Sequence, residues 1–390
     1  MVSLNTSPVI GEFRLYIQDG QTLRAFCERV ASSHVLAVDT EFLREKTYFP
    51  KLCLIQLGTH DEAAAIDPLS IDDLSPVRAL LEDPSITKVF HACSQDLEVI
   101  AHALGCTVGP LFDTQVAASF LGMRQQVSYG ALVEAFSHVH LPKAESLTDW
   151  SRRPLDPDQL SYAEDDVRYL PAIYDAMISE LIAKDRLGWV LPEMEHLGDS
   201  LSVQRDPRSA FFRLKRATSL TRRQLGVARE VCAWREAFAA RRDIPRKWVL
   251  SDEVLLEICK RTPCDEASLR RIRQTDQLSS RDAAAITSAV AKALALDPDQ
   301  LPKLEHHERP TQDQESIIDL MYALLRVISA REGIATQVIA TRDDLLEFIQ
   351  SKETSRLFTT WRYEVAGKYL EKLLTGEIGL TVKGNTIELL

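Results

Sequence analysis

Short apolar runs alternate with stretches of helical period through the first half of the chain, and this alternation predicts an α/β arrangement. Val35–Val38, Leu52–Leu57, Ala63–Ile66 and Lys88–Phe90 read as strands. Helices are expected over Ser94–Leu104, Thr114–Leu121 and Tyr129–Phe136, with another starting at Asp156-Pro157, where Asp caps and Pro suits the first turn. Beyond about Glu195 the strand pattern stops and long helical stretches take over. Leu296–Gln314, carrying Pro298, Pro302 and Pro310 among many charges, reads as a linker. The expected domains are therefore an α/β domain over residues 1–200 and helical domains over 208–295 and 312–390.

The two helical segments repeat at an ungapped offset of 90 residues. Ala233, Ala240, Arg241, Ile244, Leu255, Leu256 and Glu257 recur as Ala323, Ala330, Arg331, Ile334, Leu345, Leu346 and Glu347, and the cap residues Ser251 and Thr341 align. A duplicated small helical module explains this. The second copy diverges and closes on Gly379–Glu388, where Lys383-Gly384-Asn385 between alternating residues predicts a hairpin.

A hydrophobic fraction of 45% with 26% charged residues fits a globular chain and excludes a disordered one. No apolar run reaches the roughly 18 residues of a membrane span. Met1-Val2-Ser3-Leu4-Asn5-Thr6 lacks the basic and apolar regions of a secretory signal, so a cytoplasmic location is expected. The 7 cysteines are scattered without a Cys-x-x-Cys pair, which suggests neither a disulfide framework nor a zinc site. The net charge of −11 argues against a polyanionic partner until its distribution is seen. Gln204–Arg281 holds 19 Lys/Arg against 10 Asp/Glu, a concentration that suits phosphate contacts or simply a solvated helical surface.

Candidate chemistry lies in the acids. Asp39 and Glu41 follow an apolar strand and, one residue apart, project to one side of it. Two carboxylates so placed repel unless a cation or proton intervenes. Asp96 opens a helix after the strand ending at Phe90, a position that also suits an acid for dipole reasons alone. Tyr162 and Asp166 are four apart on a helix and share a face, which favours Asp166 over Glu164 and Asp165. Hard oxygen donors in such a cluster suit a pair of Mg²⁺ or Mn²⁺ ions.

Val38-Asp39-Thr40-Glu41-Phe42, His91-Ala92-Cys93-Ser94-Gln95-Asp96-Leu97 and Tyr162-Ala163-Glu164-Asp165-Asp166-Val167-Arg168-Tyr169-Leu170 together resemble the DEDD exonuclease superfamily in its tyrosine-containing branch, and within it the ribonuclease D family. Phe112-Asp113-Thr114 and Asp149–Leu155 extend the likeness. Trp234-Arg235-Glu236, Asp243-Ile244-Pro245 and Val249-Leu250-Ser251-Asp252 resemble the helicase-and-ribonuclease-D C-terminal (HRDC) module, of which that family carries two.

The resemblance implies a ribonuclease-H-like catalytic domain, a mixed sheet flanked by helices, followed by two small all-α HRDC-like domains. It implies 3′-to-5′ exoribonuclease activity with two divalent cations, Asp39 bridging them, Glu41 and Asp166 completing one site, Asp96 serving the other and Tyr162 orienting the attacking water. Thr40, His91 and Gln95 are candidate substrate contacts. Arg152, Arg153 and Arg168 could steer the RNA, although paired arginines are the default, and Trp150 is expected to pack. In the first module Arg213, Lys215, Arg216, Arg222, Arg223, Arg241, Arg242, Arg246 and Lys247 are candidate phosphate contacts, with Phe211 and Phe212 nearby for stacking, although core packing is the stronger reading for both. The expected partner is RNA with a free 3′ end, such as transfer-RNA precursors, met by a monomer. A DNA 3′ exonuclease and an RNA-binding adaptor with an inactive nuclease domain are the competing readings.

Overall fold

The computed structural model describes residues 15–142, 148–202, 206–303 and 310–390. Met1–Thr6 and residues 304–309 of the expected linker lie outside them. Two compact units result. One runs up to Phe42, resumes from Leu52 to Ser202 and takes in the C-terminal module to Leu390; the other combines Leu43–Lys51 with the first helical module.

The first unit is built on six strands, β1 (Leu15–Ile17), β2 (Val35–Leu43), β3 (Lys51–Gly58), β4 (Ala63–Ile66), β5 (Thr87–Phe90) and β6 (Leu111–Asp113), in the order β1-β4-β3-β2-β5-β6. β1 pairs with β4, β2 with β5, and β5 with β6 in parallel, whereas β3 and β4 are antiparallel with Ile55 opposite Ile66. This is the mixed sheet that the resemblance implied. All four expected strands are present. The three-residue β1 and β6 escape periodicity because they are too short to display one, and pairing alone defines them.

Alternation along β2 sends Leu36 and Val38 into one apolar cluster and Val35 and Ala37 into another, so helices cover both faces. The first face is packed by α1 (Gly20–Val30), α2 (Ser75–Glu82) and α3 (Ser94–Leu104). The second is packed by α4 (Thr114–Phe120), α5 (Tyr129–Ser137), α6 (Pro157–Arg168), α7 (Leu170–Ala183) and α8 (Leu187–Ser202). α6 begins at the expected place, with Asp156 and Gln159 forming a capping box and Pro157 in the first turn.

The duplication is visible in three dimensions. α9 (Arg222–Arg242), α10 (Arg246–Val249), α11 (Asp252–Arg261), α12 (Glu266–Arg270) and α13 (Ser280–Leu294) form the first module. α14 (Gln312–Glu332), α15 (Thr336–Ile339), α16 (Arg342–Gln350), α17 (Arg356–Thr359) and α18 (Lys368–Thr375) form the second. The first four helices of each start 90 residues apart, and Thr221/Gln224 and Thr311/Gln314 make the same capping box. The second copy then adds the expected hairpin, β7 (Leu380–Lys383) against β8 (Thr386–Leu389), with Gly384 at φ +61° in the turn.

Within the first unit the second module packs on the helices of the sheet domain. Trp361 stacks on Trp189 at 5.1 Å and meets Phe120 at 5.3 Å. The buried Arg362 donates to Glu193 at 2.7 Å. In the second unit, Leu296–Leu301, expected as linker, is fastened to α9. Arg223 donates to the carbonyls of Leu294 and Leu296, and Arg229 to that of Gln300. The Leu43–Lys51 connector is held there too. Tyr48 donates its hydroxyl to Glu236 at 2.7 Å, and the amides of Tyr48 and Phe49 donate to Asp243 at 3.0 Å.

Candidate metal-dependent nuclease site

β2 does not stop at the acids but continues two residues past Glu41 to Leu43, so Asp39 and Glu41 stand inside a strand, not at its end. Their parity is that of Val35 and Ala37, the face that α6 covers. The helix comes close because β3 offers Gly58. A β-carbon there would lie 3.0 Å from the Val167 carbonyl and 3.2 Å from its side chain. Neighbouring Asp166 is thereby delivered to the strand. Ligand oxygens of Asp39, Glu41 and Asp166 all fall within 4.8 Å of one another.

Thr40 has the opposite parity and serves the fourth acid. Its hydroxyl donates to Asp96 Oδ1 at 2.6 Å, both residues being buried. Asp96 stands beside the trio instead of within it, near enough for its charge to act on Asp39 and Glu41. Asp113, a motif residue without an expected role, positions this region. It accepts from the amides of Ala92 and Cys93, and also caps α4 through Gln115 and Val116. Ala92 sits at φ +63° in the turn so held, one turn before Asp96.

The acids are strained electrostatically. Burial, followed by the charges of Asp96, Asp166 and Glu41, raises Asp39 well above the carboxylate range. Burial and the charges of Asp166 and Asp96 raise Glu41 to about 8. Burial raises Asp96 to about 6 against the pull of Thr40, and Asp166 to about 7 against that of the Tyr162 hydroxyl. Oδ2 of Asp166 is buried without a hydrogen-bond partner. Converging hard oxygens, mutual repulsion and an orphaned carboxylate oxygen are what a divalent cation would satisfy, so the residues present fit the implied metal.

Tyr162 shares the Asp166 face of α6, and burial with the surrounding negative charge raises its phenol, which stays protonated. Trp150 is buried and packs at 6.0 Å from the Tyr162 ring. Glu164 instead pairs with Arg168 at 3.4 Å, and the Asp165 carbonyl accepts from Tyr129 at 2.7 Å. Tyr129 is a site neighbour that sequence reasoning missed; it lies on another helix and has no spacing relation to the acids.

The other candidates separate cleanly. His91 has both ring nitrogens engaged, at 3.0 Å from the Thr114 hydroxyl and 3.0 Å from the Val127 carbonyl, and burial lowers its pKa. Thr40 is committed to Asp96, while Gln95 is exposed on the first turn of α3. Arg153 is paired, not available to RNA, with two nitrogens at 2.6 Å from Asp67. Phe211 is buried as expected, but Phe212 is 58% exposed.

A sequence profile described as 3′-5′ exonuclease matches residues 15–182, and one described as HRDC domain matches residues 224–289. A ribonuclease D of Granulibacter bethesdensis is 38% identical over 379 residues, spanning 96% of each chain. The ribonuclease D of Zymomonas mobilis is 37% identical over 377 residues, 95% of this chain and 96% of its own. The crystal structure of Escherichia coli RNase D, described as an exoribonuclease involved in structured RNA processing, superposes with a TM-score of 0.81 at 32% identity, covering 93% of this chain and 98% of that one. The catalytic core of RRP6 from Trypanosoma brucei gives 0.53 at 27% identity over 76% and 82% of the two chains.

Proposed function

The chain belongs to the ribonuclease D family of 3′-5′ exoribonucleases, and on that premise we propose that it trims the 3′ ends of transfer-RNA precursors and other small structured RNAs as a cytoplasmic monomer. Asp39, Glu41, Asp96 and Asp166 would hold the two divalent cations, Mg²⁺ or Mn²⁺. The observation that carries this reading is the meeting of Asp39, Glu41 and Asp166 oxygens within 4.8 Å, beside the finding that Asp166 Oδ2 is buried and unpartnered. When bound, such ions stabilise the attacking and departing oxygens of the scissile phosphodiester.

The protein's own groups do the rest. Asp39, Glu41 and Asp166 form one cradle, and Asp96, fixed by Thr40, supplies the adjoining oxygen. Tyr162, protonated at neutral pH, orients the attacking water through its hydroxyl and does not remove its proton. Hydrolysis from the free 3′ end then releases nucleoside 5′-monophosphates. The acids do not read the 2′-hydroxyl, so preference over DNA rests on other contacts. The DNA exonuclease and inactive-adaptor readings are not favoured.

A 5′-labelled RNA with an unpaired 3′ tail, incubated with Mg²⁺, Mn²⁺ or chelator, tests this. A metal-dependent ladder shortening from the 3′ end in wild type and lost in Asp166→Asn is expected. Equal shortening by the variant would overturn the ligand assignment, and shortening in chelator would overturn the metal chemistry.

A further inference from the structure

Of the four acids, Asp166 is the one whose own secondary structure secures it least. Asp39 and Glu41 lie inside β2, and Asp96 is tied to Thr40. Asp166 comes two residues before α6 ends at Arg168, in the turn whose carbonyls have no amide further along the helix to answer them. After the single residue Tyr169, α7 begins, and Pro171 in its first turn has no N–H to offer the Val167 carbonyl. Fraying of this last turn would let the carboxylate swing away from Asp39 and Glu41, which repel it.

Tyr129 meets the turn from α5. Its hydroxyl donates to the Asp165 carbonyl at 2.7 Å, across 36 residues of sequence, and the Tyr169 backbone N–H faces the same hydroxyl. The Asp165 carbonyl and the Tyr169 amide are the pair that a continuous helix would join directly. One phenol therefore grips both sides of the point where α6 gives way to α7. On the other flank of Asp166, the Val167 carbonyl lies 3.0 Å from where a β-carbon on Gly58 would stand. The carbonyls of the residues immediately before and after Asp166 are thus each met by a distant segment.

Tyr129 is itself held. Its ring lies 5.6 Å from that of His91. The His91 nitrogens are engaged by Thr114 and by the Val127 carbonyl, to which Gln115 also donates at 3.0 Å. His91 stands five residues before Asp96, so the frame that steadies the phenol grows from the segment carrying the fourth acid. This gives His91 a use other than contact with RNA. Burial of the hydroxyl, then the charges of Asp166 and Asp39, keeps the phenol protonated, and its donor is present at neutral pH.

We propose that Tyr129 is a positioning residue for the metal ligand Asp166: its hydroxyl locks the last turn of α6, so that the carboxylate is already in place when the cation arrives. The inference rests on the reading that Asp166 is a ligand. The Tyr129 donor is committed to backbone and is not offered to cation or RNA.

Tyr129→Phe keeps the ring and removes the hydroxyl. In the full chain without RNA, the Mn²⁺ concentration that half-fills the site, followed through the free-ion signal in electron paramagnetic resonance, rises about tenfold, as losing a supporting bond costs. Hydrolysis of a 5′-labelled RNA shifts to higher Mg²⁺ by the same factor, while KM for RNA at saturating Mg²⁺ stays at the wild-type value. Val133→Ala, on the same helix, removes buried packing and leaves the hydroxyl; its melting temperature falls and its Mn²⁺ affinity does not. Unchanged Mn²⁺ affinity in Tyr129→Phe would overturn the proposal. An equal loss of affinity in Val133→Ala would overturn it too, because the effect would then follow stability alone. Wild-type Mn²⁺ binding in Asp166→Asn would instead overturn the ligand reading.

Discussion

Thr40 and Asp96 are 56 residues apart in sequence, yet the threonine hydroxyl donates to the carboxylate at 2.6 Å in a buried setting. Thr40 thus ties the strand that carries Asp39 and Glu41 to the helix that carries the fourth acid. Replacing it by valine keeps the shape and removes the donor. Loss of a supporting bond of this kind typically costs tenfold to a hundredfold in metal affinity or activity. Thr40→Val is therefore expected to raise the Mg²⁺ concentration for half-maximal RNA hydrolysis by about tenfold. An unchanged metal titration would show that Asp96 needs no such support.

The acid cluster opposes folding when no cation is bound. Glu41, Asp96 and Asp166 are raised to about 8, 6 and 7, so the folded chain holds these protons more tightly than the unfolded chain. Their contribution is favourable below about pH 4 and is lost as pH rises through roughly 6 to 8. In chelator the melting temperature should fall between pH 5.5 and 8.5 by more in wild type than in Asp166→Asn. Adding Mg²⁺ at pH 8 should raise it in wild type. A wild-type pH profile no steeper than the variant's would contradict the repulsion.

Asp67 presents the opposite case. Its side chain is fully buried, with Arg153 and the Tyr16 hydroxyl each at 2.6 Å. Against the cost of burial, the hydrogen bonds from Arg153 and Tyr16 hold its carboxyl down at about 2. This contribution is present above about pH 4 and is lost as pH falls through 2. Removing one partner of a buried pair costs on the order of 3–5 kcal/mol. Arg153→Met should lower the denaturant midpoint accordingly at pH 7, with the difference from wild type shrinking as the pH approaches 2. A difference unaffected by acid would mean that packing, not charge, is lost.

Trp361 anchors the C-terminal module to the sheet domain through Trp189, Phe120 and a 3.2 Å bond from its indole N–H to Glu193. Large-to-small replacement of a packed Trp costs about 3–5 kcal/mol when burial is complete; Trp361 is half-buried. Trp361→Ala should lower stability by about 2–3 kcal/mol while leaving dinucleotide hydrolysis per folded molecule intact. A thermal melt combined with the dinucleotide assay checks both halves. Loss of hydrolysis without loss of stability would give the contact a role in the chemistry.

The sequence by itself determined whatever depends on neighbours along the chain. Strand parity put Asp39 and Glu41 on one side, helical spacing put Tyr162 with Asp166, and the 90-residue offset matched the helical segments from Ala233 to Glu257 and from Ala323 to Glu347. These follow from periods of two and 3.6, which any short segment displays. Motif resemblance added Asp96, whose membership of the cluster no local spacing reveals.

Tertiary structure decided the rest, because the forces concerned act between distant segments. Gly58 matters only because Val167 packs against it. Asp113 matters because the Ala92 and Cys93 amides fold back onto it. Arg153 could have met RNA until Asp67, 86 residues away, was found to hold it. Phe211 and Phe212 are identical to a sequence reader; packing buries one and exposes the other. The Leu43–Lys51 connector joins the second unit because Tyr48 reaches Glu236 and Asp243, about 190 residues further along. Closure over such separations is settled by burial and by pairing of polar groups, and neither is written in local pattern.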